Sequence, residues 1–389
     1  MTAPVFGQLV GQETTVATLT EAVTAAHSGG SGMTHAWLFT GPPGSGRSVA
    51  ARAFAAALQC DERGCDSCTA CRTTMSGSHA DVTHVVPDGL SIGVATMRSL
   101  VLAAGRAPST GRRQILIIED ADRLTEAAGN ALLKSIEEPP ERTVFLLCAP
   151  STNPAEISVT IRSRCRHVPL RQPSIDAVAT LLTDRDAVDP GLARLAAAAA
   201  QGHIGRAKRL ATDAAARDRR DSILGIPRRL TSVSACFSAA DALISAAESE
   251  ATAANEGLDE QEKAELETAL GRGGTGKGAT KAARGSAGQL KELERRQKSR
   301  KTRAQRDTLD LALVDLAAFY RDVLVRRLEA PVSPIHMDTA DIAGAAAANW
   351  TPESILRRID AILRCREAID NNVRPRIAVE AMMLALWQG

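Results

Sequence analysis

At 389 residues the chain is too long for one ordinary domain, so two or three compact units are expected. Forty-seven Lys and Arg against 45 Asp and Glu leave a net charge of +2, which argues against a strongly polyanionic partner or an acidic substrate. Any contact with nucleic acid must then come from a local patch. The opening MTAPVFGQLVGQE lacks the charged and apolar regions of a secretory leader, and no segment reaches the ~18 apolar residues of a membrane span, so a cytoplasmic protein with no membrane partner is expected. Alanine is abundant and aromatics make up 3%, which favours helices packed through small side chains.

Apolar runs at 36–40 (AWLFT), 81–86, 114–120 (QILIIED), 143–149 (TVFLLCA) and 165–170 alternate with helical periodicity. That rhythm predicts an α/β unit, a parallel sheet flanked by helices. Helices are predicted at 47–58, 94–104 and 126–138, the last ended by Pro139 and Pro140. Beyond Arg171 the strand signals stop. Ser174 and Asp189-Pro190 read as helix starts and Gly202 as a stop, giving a small helical unit from 173 to about 212. The remainder, 213–389, reads as helical, interrupted by a flexible charged insertion at about 255–308 with the glycine-rich stretch 271–289 inside it. Within it, 291–306 (KELERRQKSRKTRAQR) reads as a solvated charged helix, the alternative being a basic arm on DNA phosphates.

Gly41, Gly44 and Gly46 fit a phosphate-binding loop between a strand and a helix, with Ser48 where a hydroxyl ligates Mg²⁺. Arg47 stands where that motif carries lysine, and a planar guanidinium is a poor substitute for a compact ammonium. The loop is therefore expected to hold ATP and Mg²⁺ better than it turns ATP over; the alternative is a glycine-rich turn without a ligand. A second match at Gly271–Lys277 lacks both a preceding strand and a following hydroxyl residue, and is set aside. QILIIED ends in Glu119 and Asp120, the reverse of the usual aspartate–glutamate order, which lengthens the metal-side carboxylate and shortens the one that would activate water. The alternative is a pair of exposed strand-end acids.

Cys60, Cys65, Cys68 and Cys71 supply four thiolates within twelve residues, enough for a closed structural Zn²⁺ site, with redox chemistry of a Cys-x-x-Cys pair as the alternative. His79 and His84 read as surface or packing residues, and Cys148 and Cys236 as small apolar ones.

LVGQE (9–13), NALLKSIEEPP (130–140) and TIRSRC (160–165), together with the cysteine insert behind the phosphate-loop helix, closely resemble the bacterial DNA polymerase III clamp loader, an AAA+ family. The resemblance implies an AAA+ domain over 1–172 with the zinc insert at 60–71, a helical lid over 173–212 and a helical collar over 213–389. It implies nucleotide contacts from Gly41, Gly44, Gly46, Arg47, Ser48 and Val10. It also implies partners: the gamma/tau motor subunits and the delta subunit in a ring, with the sliding clamp and primed DNA reached through that complex at the replication fork. Motor subunits of the family carry lysine in the loop, an Asp-Glu pair and a lid arginine. Here stand Arg47, Glu119-Asp120 and, in GHIGRAKRL, Gly205. The chain thus looks most like the stationary delta-prime type, with little or no ATPase of its own; the alternative is a hydrolysing motor or an independent AAA+ ATPase. Arg164 of Ser163-Arg164-Cys165 matches the arginine the family presents in trans to a neighbour's ATP. Ser151 and Thr152 fall at its phosphate-sensing position, or else form a turn before Pro154.

Overall fold

The computed structural model describes residues 3–269 and 279–389 and divides the chain into two compact units, Met1–Thr212 and Asp213–Gly389. In the first unit α1 (Glu13–Ser28), β1 (Ala36–Thr40), α2 (Arg47–Gln59), α3 (Thr69–Ser76), β2 (Val82–Val85), α4 (Val94–Ala104), β3 (Gln114–Ile118), α5 (Glu126–Glu137), β4 (Thr143–Ala149), α6 (Val159–Arg162) and β5 (Arg166–Pro169) form an α/β fold. The five strands are all parallel and ordered β2-β3-β4-β1-β5. Helices α7 (Ile175–Asp186), α8 (Pro190–Ala199) and α9 (Ile204–Thr212) complete this unit.

The three central strands, β1, β3 and β4, are buried on both faces, and alternate residues feed separate cores, as a period of two requires. Trp37, Phe39, Ile115, Ile117, Val144 and Leu146 pack toward α1, α2 and the cysteine insert. Leu38, Leu116, Ile118, Phe145 and Leu147 pack on the other side, with residues of α4 and α5. Along α2, Ala50, Ala51, Ala53, Ala55, Ala56 and Ala57 are fully buried, so small side chains let this helix lie close to the sheet, where Phe54 meets Trp37 edge-on at 4.9 Å. Ser174 caps α7 and Asp189 caps α8 through their side-chain oxygens, with Pro190 opening α8, at the positions read from the sequence.

The second unit is helical: α10 (Ala214–Leu224), α11 (Ile226–Arg229), α12 (Val233–Ala269), α13 (Ala279–Arg327), α14 (Ala340–Asn349), α15 (Pro352–Asp370) and α16 (Pro375–Gln388). Its core gathers Leu309, Leu313, Leu316, Phe319, Tyr320, Ile355, Ile362, Val379 and Met383. Of the flexible charged insertion expected at 255–308, the described parts, 255–269 and 279–308, are helical. α12 and α13 are continuous helices through most of it, while 271–278, with the second glycine-loop match, lies outside the described residues. Few apolar groups hold this part of the hairpin; Leu293 is buried, but the cross-links are ionic. Arg300 on α13 reaches Asp259 at 2.6 Å and Glu262 at 2.5 Å on α12, and Gln297 donates to the Asp259 carbonyl at 2.9 Å. Part of the basic run 291–306 is therefore spent on an acidic neighbouring helix.

Among the described residues, no helix is long and apolar enough to cross a membrane.

Candidate functional site

The loop between β1 and α2 turns through two left-handed glycines, Gly44 at φ +85° and Gly46 at φ +88°. The N–H of Gly41 donates to the Pro150 carbonyl at 3.1 Å, tying the loop to the end of β4. Gly41 is also closely packed: a Cβ there would come within 2.6 Å of the Leu170 carbonyl oxygen. Gly46 is the N-cap of α2 and offers no side-chain cap. The first-turn N–H groups of this helix thus point, with its positive pole, into the loop, an arrangement suited to an anion.

Side chains around the loop fit a charged guest. Arg47 has its Nη1 buried without a hydrogen-bond partner, as is Oδ1 of Asp122 beyond β3. Burial, then the charge of Asp120, raise the Asp122 carboxyl, while the Arg47 charge opposes them. The guanidinium therefore acts on the acidic ends of the strands. Asp120 itself is in the left-handed region at φ +50°, which aspartate tolerates.

Glu119 directly follows β3 and is half-buried. His84 on β2 stands 2.7 Å from its Oε1 through Nε2, and the nearby Ser48 hydroxyl favours the charged form of the same carboxylate. Burial alone would raise the Glu119 carboxyl, but the His84 bond and charge, Ser48 and the Arg52 charge outweigh it and keep the group ionised. His84, expected to be a surface or packing residue, is thus a direct partner of the candidate acid. His79 does serve its own turn, accepting from the Asp81 N–H at 3.1 Å.

Two further residues join the site that sequence reasoning did not single out. Gln12, two residues after half-buried Val10, donates to the carbonyls of Ser45 (3.4 Å) and Arg171 (2.5 Å), and accepts from the Arg171 N–H at 3.1 Å. His203, ahead of α9, lies against Gly44 so closely that a Cβ on that glycine would come within 2.6 Å of it. Its Nδ1 accepts from the Arg206 N–H at 3.3 Å. Burial, then the nearby Arg206 charge, lower the His203 pKa, so the ring stays neutral. Ser151 is committed locally, donating to Glu156 at 2.7 Å and accepting from the Asn153 N–H, in the manner of a turn.

Arg164 occupies the opposite end of the sheet. β5 begins at Arg166 beside Trp37, near the start of β1, whereas the phosphate loop follows the end of β1. A strand of this length spans about 15 Å. Arg164 is partly exposed and pairs with Glu137 at 2.6 Å, and it also donates to the Thr160 carbonyl at 3.0 Å. The C-terminal turn of α5 is fixed at that same end, where His35 bonds the Ile136 carbonyl at 2.6 Å.

The four cysteines form a separate centre behind α2. Their sulfurs all lie within 4.8 Å of one another, and the cluster could hold a metal ion. Cys60 Sγ is 3.6 Å from that of Cys65 and 3.7 Å from that of Cys68, too far for disulfides and close to the ~3.8 Å edge of a tetrahedron with metal–sulfur bonds of ~2.3 Å. Backbone N–H groups of Cys65, Cys68 and Cys71 approach neighbouring sulfurs at 3.3–3.5 Å. The Ser67 hydroxyl, first among its partners, helps pull the Cys65 thiol down to about 6. Gly64, at φ +108°, accepts from the Val5 N–H at 3.1 Å, so the cluster is laced to the N-terminal segment. Cys148 and Cys236 are buried, and burial pushes both thiols up, as packing residues require.

A strand, glycine loop and helix, followed by acids at a strand end, within a parallel sheet joined to a helical lid, define a P-loop protein of the AAA+ type. Residues 11–174 match the family model described as DNA polymerase III, delta subunit. The chain is 36% identical over 168 residues to the delta' subunit of Bacillus subtilis DNA polymerase III, covering 42% of this chain and 50% of that one. It is 35% identical over 178 residues to the tau subunit of the same organism, covering 44% and 30%. It is 36% identical over 171 residues to the gamma/tau subunit of Mycobacterium tuberculosis, covering 43% and 28%. Over this segment the chain is similar to subunits of the DNA polymerase III clamp loader. The matched segment spans half or less of each of these relatives. A gamma subunit-related protein of Thermotoga maritima is similar over 90% of this chain and 98% of its own, at 17% identity and a TM-score of 0.39.

Proposed function

We propose that the chain is a clamp-loader subunit of the delta-prime type, which joins the gamma/tau and delta subunits in a ring and so helps load the sliding clamp on primed DNA. The observation that carries this is Arg164, partly exposed at the end of the sheet away from the chain's own phosphate loop. A guanidinium there serves a site on a neighbour, where it stabilises charge developing on a transferred phosphoryl group.

The chain's own loop, Gly41, Gly44, Gly46, Arg47 and Ser48 with Val10 nearby, is a nucleotide seat in this account. The unpartnered Arg47 Nη1 supports an anionic guest. Ser48 and Glu119 would hold Mg²⁺ there, and that ion would supply charge neutralisation between the phosphates. Turnover in this site is weak or absent, because the usual lysine is missing and Asp120 is one methylene shorter than the usual base. Zn²⁺ in the four-cysteine cluster has a structural role, since four thiolates leave no open position.

The hydrolysing-motor alternative draws on one specific observation: relatives named tau and gamma/tau match at 35% and 36% identity, as well as the delta' relative does. Turnover by the isolated chain separates the two. A rate abolished by Ser48→Ala would make it a motor. No turnover alone, with an Arg164-dependent rate in the reconstituted ring, supports the delta-prime assignment.

A further inference from the structure

After α13 the chain turns toward α14 through a connection that Pro331 and Pro334 keep out of helix, ending in a single 3₁₀ turn at Met337–Thr339. Charge and hydrogen bonding hold it down. Buried Asp322 of α13 accepts from the N–H groups of Ile335 and His336, both at 2.8 Å, and Arg321 bonds the Ser333 carbonyl at 3.0 Å. From the other side, buried Arg220 of α10 grips Asp338 with both ends of its guanidinium, at 2.5 and 2.9 Å.

His336 is buried between these two clamps. Its Nδ1 stands 2.9 Å from Arg220 Nη2, and its Nε2 stands 3.2 Å from the Asp315 carbonyl of α13. A guanidinium nitrogen only donates, so Nδ1 must be the bare, accepting nitrogen and Nε2 must carry the proton. The docked ring is therefore neutral. A second proton would set Nδ1–H against an Arg220 N–H, donor against donor and charge against charge. The nearby acids give no relief at that nitrogen. Asp338 is taken by Arg220, and Asp322 by two backbone N–H groups and by Arg321 at 2.7 Å. The Asp315 carboxylate lies 4.0 Å from Nε2, the nitrogen that already has its proton. Burial, then the Arg220 charge, lower the His336 pKa against the opposing pull of Asp315 and Asp322.

We propose that Ser333–Asp338 is an acid-released strap: proton uptake by His336 breaks its bond to Arg220 and detaches the connection from α10 and α13. The core beneath, with Leu313, Leu316 and Phe319, does not titrate, so release is a local opening and not unfolding of the unit. In the released strap the imidazole is solvated and takes its proton near the ordinary ~6.5, whereas the docked ring resists it. Docking is thus independent of pH above about 6.5 and weakens by up to about tenfold per pH unit below it. Burial would raise the Asp338 carboxyl, but the Arg220 bond and charge outweigh it and keep the group ionised, so this pH window belongs to the histidine.

Hydrogen exchange of the full chain, corrected for the intrinsic pH dependence of amides and followed at Ile335 and His336, tests this. Their protection should hold from about pH 8 to about 6.5 and fall about tenfold over the next pH unit, while β1, β3 and β4 keep theirs. His336→Gln, which offers an acceptor and a donor but does not titrate, should abolish the fall. In the native chain, with no variant needed, the isotope-labelled His336 ring should take up its proton by nuclear magnetic resonance over the same range in which the two amides lose protection. Constant protection down to about pH 5.5, an equal fall in folded His336→Gln, or a ring that protonates while both amides stay protected would each overturn the proposal.

Discussion

Arg164 Nη2 lies 2.6 Å from Glu137 Oε1, joining the end of α5 to the turn before β5 at the end of the sheet opposite the phosphate loop. Both residues come from stretches that ATP binding does not require, NALLKSIEEPP and TIRSRC. Their pairing gives those stretches a common purpose. The pair is partly exposed, so in the proposed account Arg164 exchanges Glu137 for a more highly charged acceptor on a neighbour.

An ion pair this open contributes roughly 0–1 kcal/mol to stability. Glu137→Ala should therefore leave the melting temperature of the isolated chain within about 4 °C of the native value. In the reconstituted ring it should leave ATP turnover within about twofold. A calorimetric scan and a steady-state assay check both; a large loss of folding would mean that the pair is structural.

Zinc should be present at about one ion per chain in protein purified without added metal. Chelation should lower stability, because Cys60 and Cys71 are buried in the same core as Phe6, Leu58 and Trp37, and losing the metal would leave buried thiols without it. Metal analysis and thermal unfolding with and without chelator test this together. A metal-free chain of undiminished stability would refute the assignment.

Gly44→Ala should disturb the contact between the loop and His203. The substituted residue would have to hold φ near +85° with its Cβ within 2.6 Å of His203. The strain costs about 1–3 kcal/mol, and nucleotide affinity by titration calorimetry should fall about tenfold or more. Unchanged affinity would mean that the loop does not carry the ligand.

Asp81 predicts a pH dependence. It is buried and accepts from the N–H groups of Ser109, Thr110 and Gly111 and from the hydroxyls of Ser109 and Thr110, at 2.6–3.0 Å. Burial alone would raise its carboxyl, but these bonds outweigh it and hold the group well below the usual carboxylate range. A depressed folded-state pKa stabilises the fold above the unfolded value of ~3.9, and that stabilisation is lost as pH falls from there through the folded value. Asp81→Asn should cost about 3 kcal/mol at pH 7, and its deficit relative to the native chain should shrink steadily below about pH 4. Denaturant midpoints of both chains across that range measure the convergence.

The central strands β1, β3 and β4 and the glycine loop were legible because each is a local signal: a largely apolar run of five to seven residues, or glycines at set spacing before a helix. The caps at Ser174 and Asp189 were local too. What escaped depends on partners distant in sequence. The His84–Glu119 bond spans 35 residues across a β-ladder, and the Gly44–His203 contact joins the loop to the lid, so neither has a spacing to read. The α12–α13 hairpin escaped for a different reason. Its distal part carries charge rather than apolar periodicity, and only folding brings Asp259 and Glu262 to Arg300, 41 and 38 residues away.

ATP turnover stimulated by primed DNA, in a clamp-loader ring assembled with either the native chain or Arg164→Ala, tests the central claim most directly. Assembly should be the same for both. Turnover at the interface that Arg164 serves should fall on the order of 10³-fold, and total turnover by that one site's share. Unchanged turnover together with unchanged clamp loading would contradict the account.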